Sequence, residues 1–416
     1  MGALNNAVAA VWGVPARLKA AVSNPSATAP VDIDWSLLWG APAKSGASVT
    51  VDTTLKCAVA FACTRVLAEG IAQLPLKVFR EDGEGGKQVA RDHPAHRIIS
   101  RRPNPWMSSF EFRETLMYHA VLTGNGYAAI NRVGGAIKEL IPIMPGTVTV
   151  KQLPNYKLHY EVRLNDGTVT VPEENMFHLR GPSWNGFMGL DTIKLLREAI
   201  GLAISTEENH ARLHSQGARP GGILSTEGNL DDEQLKRIKA AWFAAQGGLG
   251  NAFKTAVLDG GMKWTPRAMT GVDSQHLETR KHQIEEVCRG FRVFPQMVGF
   301  GDKTATYASA EQFFLAHVTH SLGPWMARWE QTIDSKLLGK ESEAMEGRLF
   351  SKFNVTALLR GDAKTRSAFY HNGILDGWLM RNEARDFEDL NPIDGLDEPL
   401  VPGNMNVGKT TEEDRK

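Results

Sequence analysis

Apolar residues recur at spacings of three and four from Phe313 through Phe314, Val318, Leu322, Trp325, Met326, Trp329, Ile333 and Leu337. This predicts one long helix with a broad apolar face over about residues 308–338, kinked at Gly323-Pro324. The stretch before it, 299–309, is small, polar and bounded by glycine, so it has nothing to pack with and reads as a loop. Two charged runs lie upstream. In 192–216, Ile193, Leu196, Ile200 and Ile204 form a narrow apolar stripe, with Asp191 as cap and Gly217 as stop. In 275–293, Leu277, Ile284, Val287, Cys288 and Phe291 do the same, capped by Asp273 or Ser274 and stopped by Pro295. At 1.5 Å per residue each run spans roughly 30–37 Å. A narrow stripe beside a wide polar face suits a helix that packs in a bundle or stands beside copies of itself.

Between the charged runs, 220–268 reads as a strand at Ile223 and Leu224, then a helix capped by Asn229 and carrying Leu235, Ile238, Trp242 and Phe243. A strand at 255–258, a turn and a strand at 262–265 with Trp264 follow. A module this small holds little core of its own, yet Trp242, Phe243 and Trp264 give it much aromatic surface. That combination predicts self-association, stabilised by identical neighbours.

Towards the N-terminus, Val59, Cys63, Val66, Leu67 and Ile71 predict a helix over 53–71, followed by a strand at 74–79. Two further helices are expected at 94–100 and 108–122, the second capped by Ser108 or Ser109 with Phe112, Leu116 and Val121 facing inward. Gly124-Asn125-Gly126 then turns the chain, and 127–177 alternates in strand fashion, broken at Asn165–Gly167. The fold class is α+β. Short helices are expected across 363–390. The Ala/Pro-rich start reads as a disordered or separately docked arm and the polar stretch from Val401 as a disordered tail.

A formal net charge of zero argues against a tight nucleic-acid grip, which needs a basic excess to displace counterions. Cys57, Cys63 and Cys288 cannot all pair with one another and show no CxxC spacing; reduced core thiols of a cytoplasmic protein are the expectation. No apolar run approaches the ~20 residues of a membrane span, and neither a signal peptide nor a myristoylation pattern is read at the start.

Several motifs are weak on inspection. Gly403 to Thr410 matches GxxxxGK[ST] in letters, but no apolar strand precedes it, so a nucleotide-driven motor using Lys409 is disfavoured. His210 and His214 have zinc-pair spacing without the Glu or a third ligand. His317 and His320, predicted to share a helix face, lack nearby carboxylates. Arg360-Gly361-Asp362 reads as a loop and helix start. No metal, cofactor or nucleophile–base constellation emerges, leaving the loop 301–307 as the polar stretch to expect function from, with a merely flexible linker as the alternative.

Five stretches in sequence carry a resemblance: ACTRVLAEGIAQLPL (62–76), HPAHRIISRRPNP (93–105), LTGNGYAAIN (122–131), FPQMVGFGDKTATYASAEQ (294–312) and NGILDGWLMRNEARDFEDL (372–390). With the order of elements, over about 51–405, the chain resembles the portal proteins of tailed double-stranded DNA bacteriophages, in the family found in long-tailed phages. The resemblance implies an N-terminal arm at 1–49, a wing beginning with 50–191, stem helices at 192–217 and 269–295 and a clip at 218–268. It further implies a tunnel loop and long wing helix within 296–354, a crown at 355–400 and a tail at 401–416. Asp302, Lys303, Thr304, Thr306 and Tyr307 would be the tunnel-loop residues facing DNA, and Trp242, Phe243 and Trp264 the clip interface. It implies a homo-oligomeric ring, typically dodecameric, at one capsid vertex of the virion and in the host cytoplasm during assembly. Its partners would be the terminase large subunit, the major capsid protein, a head–tail adaptor and double-stranded DNA passing non-specifically through the channel. No enzymatic activity or cofactor is implied, ATP hydrolysis belonging to the terminase. The alternative is a structural virion adaptor protein without a DNA channel.

Overall fold

The computed structural model describes residues 43–82, 86–165, 167–215, 222–226, 231–246, 258, 261–266, 272–301, 307–344, 347–355, 363–388 and 390–400. The chain divides into two compact units, Met1–Phe353 and Asn354–Lys416. The class is mixed helix and sheet, as expected. Within the first unit, helices α1 (Val51–Lys56) and α2 (Ala58–Ala72) stand where a single helix was predicted. The break is Cys57, whose extended backbone ends the first helix and caps the second. Strand β1 (Leu76–Glu81) begins two residues later than expected and pairs with β2 (Lys87–Val89) on one edge and β11 (Leu349–Phe353) on the other, both antiparallel.

Helix α3 (Pro94–Ser100) matches its prediction, with His93 as cap and Pro94 in the first turn. Helix α4 (Ser109–Thr123) opens on a capping box: Glu111 N–H donates to Ser108 Oγ at 3.2 Å and Ser108 N–H to Glu111 Oε2 at 2.7 Å. It ends on Gly124 alone, which takes a left-handed conformation (φ 76°). Asn125 and Gly126, predicted to belong to the turn, already lie in strand β3 (Asn125–Val133). Gly126 serves packing rather than turning, because a Cβ there would sit 2.8 Å from the Leu116 carbonyl oxygen of α4.

Strand β3 is central in the order β4-β3-β8, with β4 (Ala136–Ile143) and β8 (Met176–Arg180) antiparallel on either side. Strands β5 (Val148–Gln152), β6 (Leu158–Leu164) and β7 (Gly167–Pro172) make a second antiparallel sheet. The Leu164–Gly167 pair closes the β6–β7 hairpin at the predicted punctuation. Alternation is clear in β6 and β7, which bury Leu158, Tyr160, Val162, Val169 and Val171. These pack with Tyr127, Ala129, Ile141, Ile143 and Met176 in one core. β3 is instead buried continuously from Asn125 to Ile130, as a strand covered on both faces must be.

The long helix runs as α9 (Tyr307–Ala316), a π-helical segment (His317–Leu322), α10 (Gly323–Ile333) and a second π segment (Asp334–Leu338). Gly323 N–H donates to the Val318 carbonyl five residues back. Pro324 next to it has no N–H to continue the ladder, and the helix changes from π to α register here, where the kink was expected. Val318, Leu322, Trp325, Met326, Trp329, Ile333 and Leu337 are buried. Trp329 lies against Phe177 (centroids 5.5 Å) and Phe112 (6.4 Å), and its Nε1–H points at Met117 Sδ at 3.2 Å. Two carboxylates of this helix clamp β11: Asp334 Oδ1 accepts from Ser351 N–H and Oγ–H at 2.8 and 2.7 Å, and Glu330 Oε1 from Phe353 N–H at 2.8 Å.

The charged runs form α5 (Thr192–Leu195), capped by Asp191, then α6 (Arg197–Ser215) and α8 (Val272–Phe291). The first predicted helix is therefore interrupted at Leu196, and the second starts three residues before its predicted span. Ile200, Ala203, Val287, Cys288 and Phe291 are buried. The segment before α1 is docked: Ala43 and Val49 are buried, a Cβ on Gly201 of α6 would come within 2.4 Å of Ala43 Cβ, and Lys44 N–H donates to Glu198 Oε2 at 3.0 Å. The expected arm thus packs over 43–49, and its first 42 residues lie outside the described residues. All three cysteines are free and buried, with Cys63 Sγ and Cys288 Sγ 3.6 Å apart. Among the described residues no helix is long and apolar enough to cross a membrane. The second unit contains α11 (Ala363–Leu375) and α12 (Arg381–Phe387), the expected short helices. The tail from Val401 with its GxxxxGKT letters, and Arg360-Gly361-Asp362, lie outside the described residues.

Candidate functional site

The loop expected to act is held at its base from both sides. Helix α8 ends with Arg292 in a left-handed conformation (φ 58°), and Val293 N–H donates to the Cys288 carbonyl at 2.9 Å. This is a Schellman-type end with arginine where glycine is usual. Ser321 Oγ–H of the π segment donates to the Arg292 carbonyl at 2.6 Å. A short 3-10 turn, Pro295–Val298, follows and closes on Gly299 (φ 76°). Before the loop stands Phe294 and after it Phe313, with ring centroids 5.9 Å apart. An aromatic clasp and a buried hydroxyl bond therefore fix both ends of the segment that leaves and re-enters the body. The sequence reading missed Phe294, Phe313, Arg292 and Ser321 as its supports, although Phe294 stands first in the FPQMVGFGDKTATYASAEQ stretch.

Asp302, Lys303, Thr304 and Thr306 lie outside the described residues; Tyr307 is the first residue of α9, and its side chain lies outside them too. The two histidines of the π segment separate: His317 is buried and its pKa is lowered by loss of solvation, whereas His320 is exposed. They do not share a face, because the π register widens the turn on which the prediction relied. Among the described residues no cluster of His, Cys, Asp and Glu could hold a metal ion.

The second predicted group is brought together in part. Strands β9 (Gly222–Ser225) and β10 (Lys263–Pro266) pair antiparallel, with Trp264 opposite Leu224. Helix α7 (Asp232–Gln246) sets Trp242 against Trp264, centroids 4.9 Å apart and planes tilted by 30°. Both indoles are only partly buried. Phe243 is on α7, but its side chain lies outside the described residues, as do Asn229 and residues 255–257 of the strand predicted at 255–258, whose last residue, Leu258, is described and lies in no strand. The cap of α7 is Asp231, not Asn229: Gln234 N–H donates to Asp231 Oδ1 at 2.7 Å and Asp231 N–H to Gln234 Oε1 at 3.2 Å. A reciprocal cap wins because it satisfies two backbone donors at once.

A buried polar network ties the loop before α5 to the start of β3. Asn125 Nδ2 donates to the Thr123 and Gly189 carbonyls, which fixes Oδ1 as acceptor; it accepts Gly189 N–H at 2.8 Å and lies 3.0 Å from His178 Nε2. His178 Nε2 must then carry the proton, leaving Nδ1 to accept the Tyr160 hydroxyl at 3.2 Å. Every partner is satisfied by a neutral imidazole. Burial, reinforced by Arg180 and Lys336, holds the His178 pKa well below its ordinary value. The network reads as structural: its bonds lock the loop to the start of β3.

With this geometry in hand, likeness to known proteins is specific. The chain is 30% identical over 392 residues to the probable portal protein of Streptomyces phage phiC31, covering 90% of this chain and 83% of that one. It is 28% identical over 354 residues to the portal protein of Enterobacteria phage HK97, covering 84% and 82%. Its fold is similar to a chain in the neck of a native gene transfer agent particle computed with C12 symmetry, at 20% identity and a TM-score of 0.53, covering 82% of this chain and 94% of that one. The family model described as phage portal protein matches residues 58–389, and the chain belongs to that family.

Proposed function

We propose that this chain is the repeating subunit of a ring at one vertex of a phage capsid, forming the channel through which double-stranded DNA is packaged and later ejected. The observation that carries the reading is the family match over 58–389. The similar chain in the gene transfer agent neck belongs to an assembly computed with C12 symmetry, which supports a ring of twelve. Residues 50–191 and the long helix form the wing, 192–217 and 269–295 the stem, 218–268 the clip, 299–308 the tunnel loop and 355–400 the crown. The division between the compact units, Phe353 to Asn354, falls where wing and crown would meet. Exposed Leu195 and Leu202, at 65% and 42% of full accessibility, leave apolar surface on the stem for a neighbouring copy.

The clip meets the terminase large subunit during packaging and a head–tail adaptor afterwards, and the wing meets the major capsid protein. Lys303, repeated around the ring, offers the passing phosphates weak, screened contacts; a conduit must let them slide, so zero net charge suits the task. The chain is a structural component with no catalytic role of its own, made in the host cytoplasm and ending in the virion. Negative-stain micrographs with mass in solution test the reading. Rings with a central hole are expected. Assemblies without a through-hole, at concentrations where the chain is fully associated, would favour an adaptor lacking a DNA channel.

A further inference from the structure

Although the whole chain carries no net charge, cations gather at one place well away in sequence from residues 299–308. A cleft of about 530 Å³ between β1, the start of α4 and α3 is lined by Lys77, Arg91, His96, Arg97, Arg101 and Arg113. Arg91, Arg97 and Arg101 are exposed. Of the described carboxylates nearby, Asp92 pairs with Arg80 at 2.8 Å and Glu341 with His93 at 3.3 Å, while Glu139 lies with Arg97 on the adjoining cleft and accepts from Asn131 Nδ2 at 3.2 Å. Arg113 is the unusual member, with only 7% of its surface accessible. Its guanidinium donates to the Ile99 and Ala72 carbonyls at 3.0 and 2.6 Å and to Ser109 Oγ at 2.6 Å, all neutral acceptors. Its Nε–H is buried without an acceptor.

A buried guanidinium facing only neutral groups is costly unless an anion reaches it. The strain shows twice. Loss of solvation lowers the Arg113 pKa to about 10. His96 is lowered by its own burial and then by Arg91, Lys77 and Arg101. Asp92 opposes that shift only as its smallest cause, so cations outweigh carboxylates around His96.

We propose that this cleft is a phosphate-binding site, with Arg91, Arg97 and Arg101 contacting the phosphate oxygens over the buried Arg113. Guanidinium forks match tetrahedral oxyanions in paired hydrogen bonds. Several cations around one volume favour a group carrying more than a single negative charge. A cleft this large exceeds one carboxylate and takes a short run of phosphates, supplied either by a free oligophosphate or by a nucleic-acid backbone. All the lining residues belong to one chain.

The test titrates the full-length protein with sodium triphosphate, by calorimetry, and with a fluorescent DNA duplex of about 20 base pairs, by anisotropy, between about 50 and about 200 mM salt. Wild type is compared with the double variant Arg97→Glu/Arg101→Glu and the milder triple variant Arg91→Gln/Arg97→Gln/Arg101→Gln, all at exposed positions. Lys236→Glu, an exposed cation on α7, is the control. Loss of about tenfold or more in affinity is expected in the double variant, a smaller loss in the triple variant and none in the control. Triphosphate binding that the duplex does not displace identifies a free oligophosphate. Cleft-dependent duplex binding that triphosphate displaces only weakly identifies a nucleic-acid backbone. Absence of binding by both probes to wild type, or equal binding by wild type and both cleft variants, would overturn the site.

Discussion

Gly189 and Gly186 stand three residues apart in one loop, and the structure predicts opposite outcomes for the same substitution. Gly186 is left-handed (φ 80°), but a Cβ there meets nothing within 4 Å. Gly186→Ala costs only the conformational penalty of an L-residue in that region, about 1 kcal/mol. At Gly189 a Cβ would lie 1.8 Å from the Gly124 carbonyl oxygen, 2.7 Å from its carbon and 3.1 Å from Gly181 N. All three are backbone atoms, so no rotamer relieves the clash and the loop must lift. Lifting breaks Gly189 N–H to Asn125 Oδ1, Asn125 Nδ2 to the Gly189 carbonyl and Gly181 N–H to the Gly124 carbonyl. At about 1 kcal/mol each, with a further 1 kcal/mol or more for leaving buried Asn125 short of partners, Gly189→Ala should cost about 4 kcal/mol. Urea unfolding followed by tryptophan fluorescence reads this as a midpoint fall of roughly 1 M or more, against a few tenths for Gly186→Ala. Equal midpoints for the two variants would show that the close approach of the three glycine backbones does not hold the loop.

Trp264→Ala should loosen the β9–β10–α7 module by about 2 kcal/mol, less than a fully buried tryptophan would lose, because the indole is only partly covered. Faster proteolysis within 222–266, with the rest of the chain unaffected, checks it. Lys303→Ala with Tyr307→Ala should leave ring assembly intact and lower the yield of packaged or retained DNA in a packaging assay; normal packaging would strip the tunnel loop of its role. The buried neutral His178 should contribute stability that is complete above about pH 6.5 and is lost as pH falls towards its lowered folded value, by up to about 1.4 kcal/mol per pH unit. The readout is the difference in pH slope between wild type and His178→Gln, since Glu330 and Asp334, whose pKa values burial raises, run in the opposite sense. Identical slopes would mean that His178 protonates freely in the folded chain.

What the sequence made legible is what local chemistry decides. The helix at 94–100, Ser108 as one of two candidate caps, the Asp191 cap and the apolar face of the long helix could all be read because each depends on residues a few positions apart. Where two local signals competed, the reading slipped. Asn229 is a good cap, but Asp231 with Gln234 satisfies a second donor. Where the deciding partner was distant, no local signal existed. Gly126 looks like a turn residue until α4 crosses it, and Gly189 looks like loop filler until Gly124 and Gly181 press against it. The cleft followed the same rule: Arg97 and Arg101 stood inside a recognised stretch as ordinary helix-end charges, while Arg113 sat on a helix whose inward face seemed to need only Phe112, Leu116 and Val121. Their meaning depends on β1 and α3 closing over α4 and on the absence of a described carboxylate to meet the buried guanidinium. Long-range placement makes an arginine into a binding group, so a charge that is unremarkable in sequence can be the one that most needs a ligand in the fold.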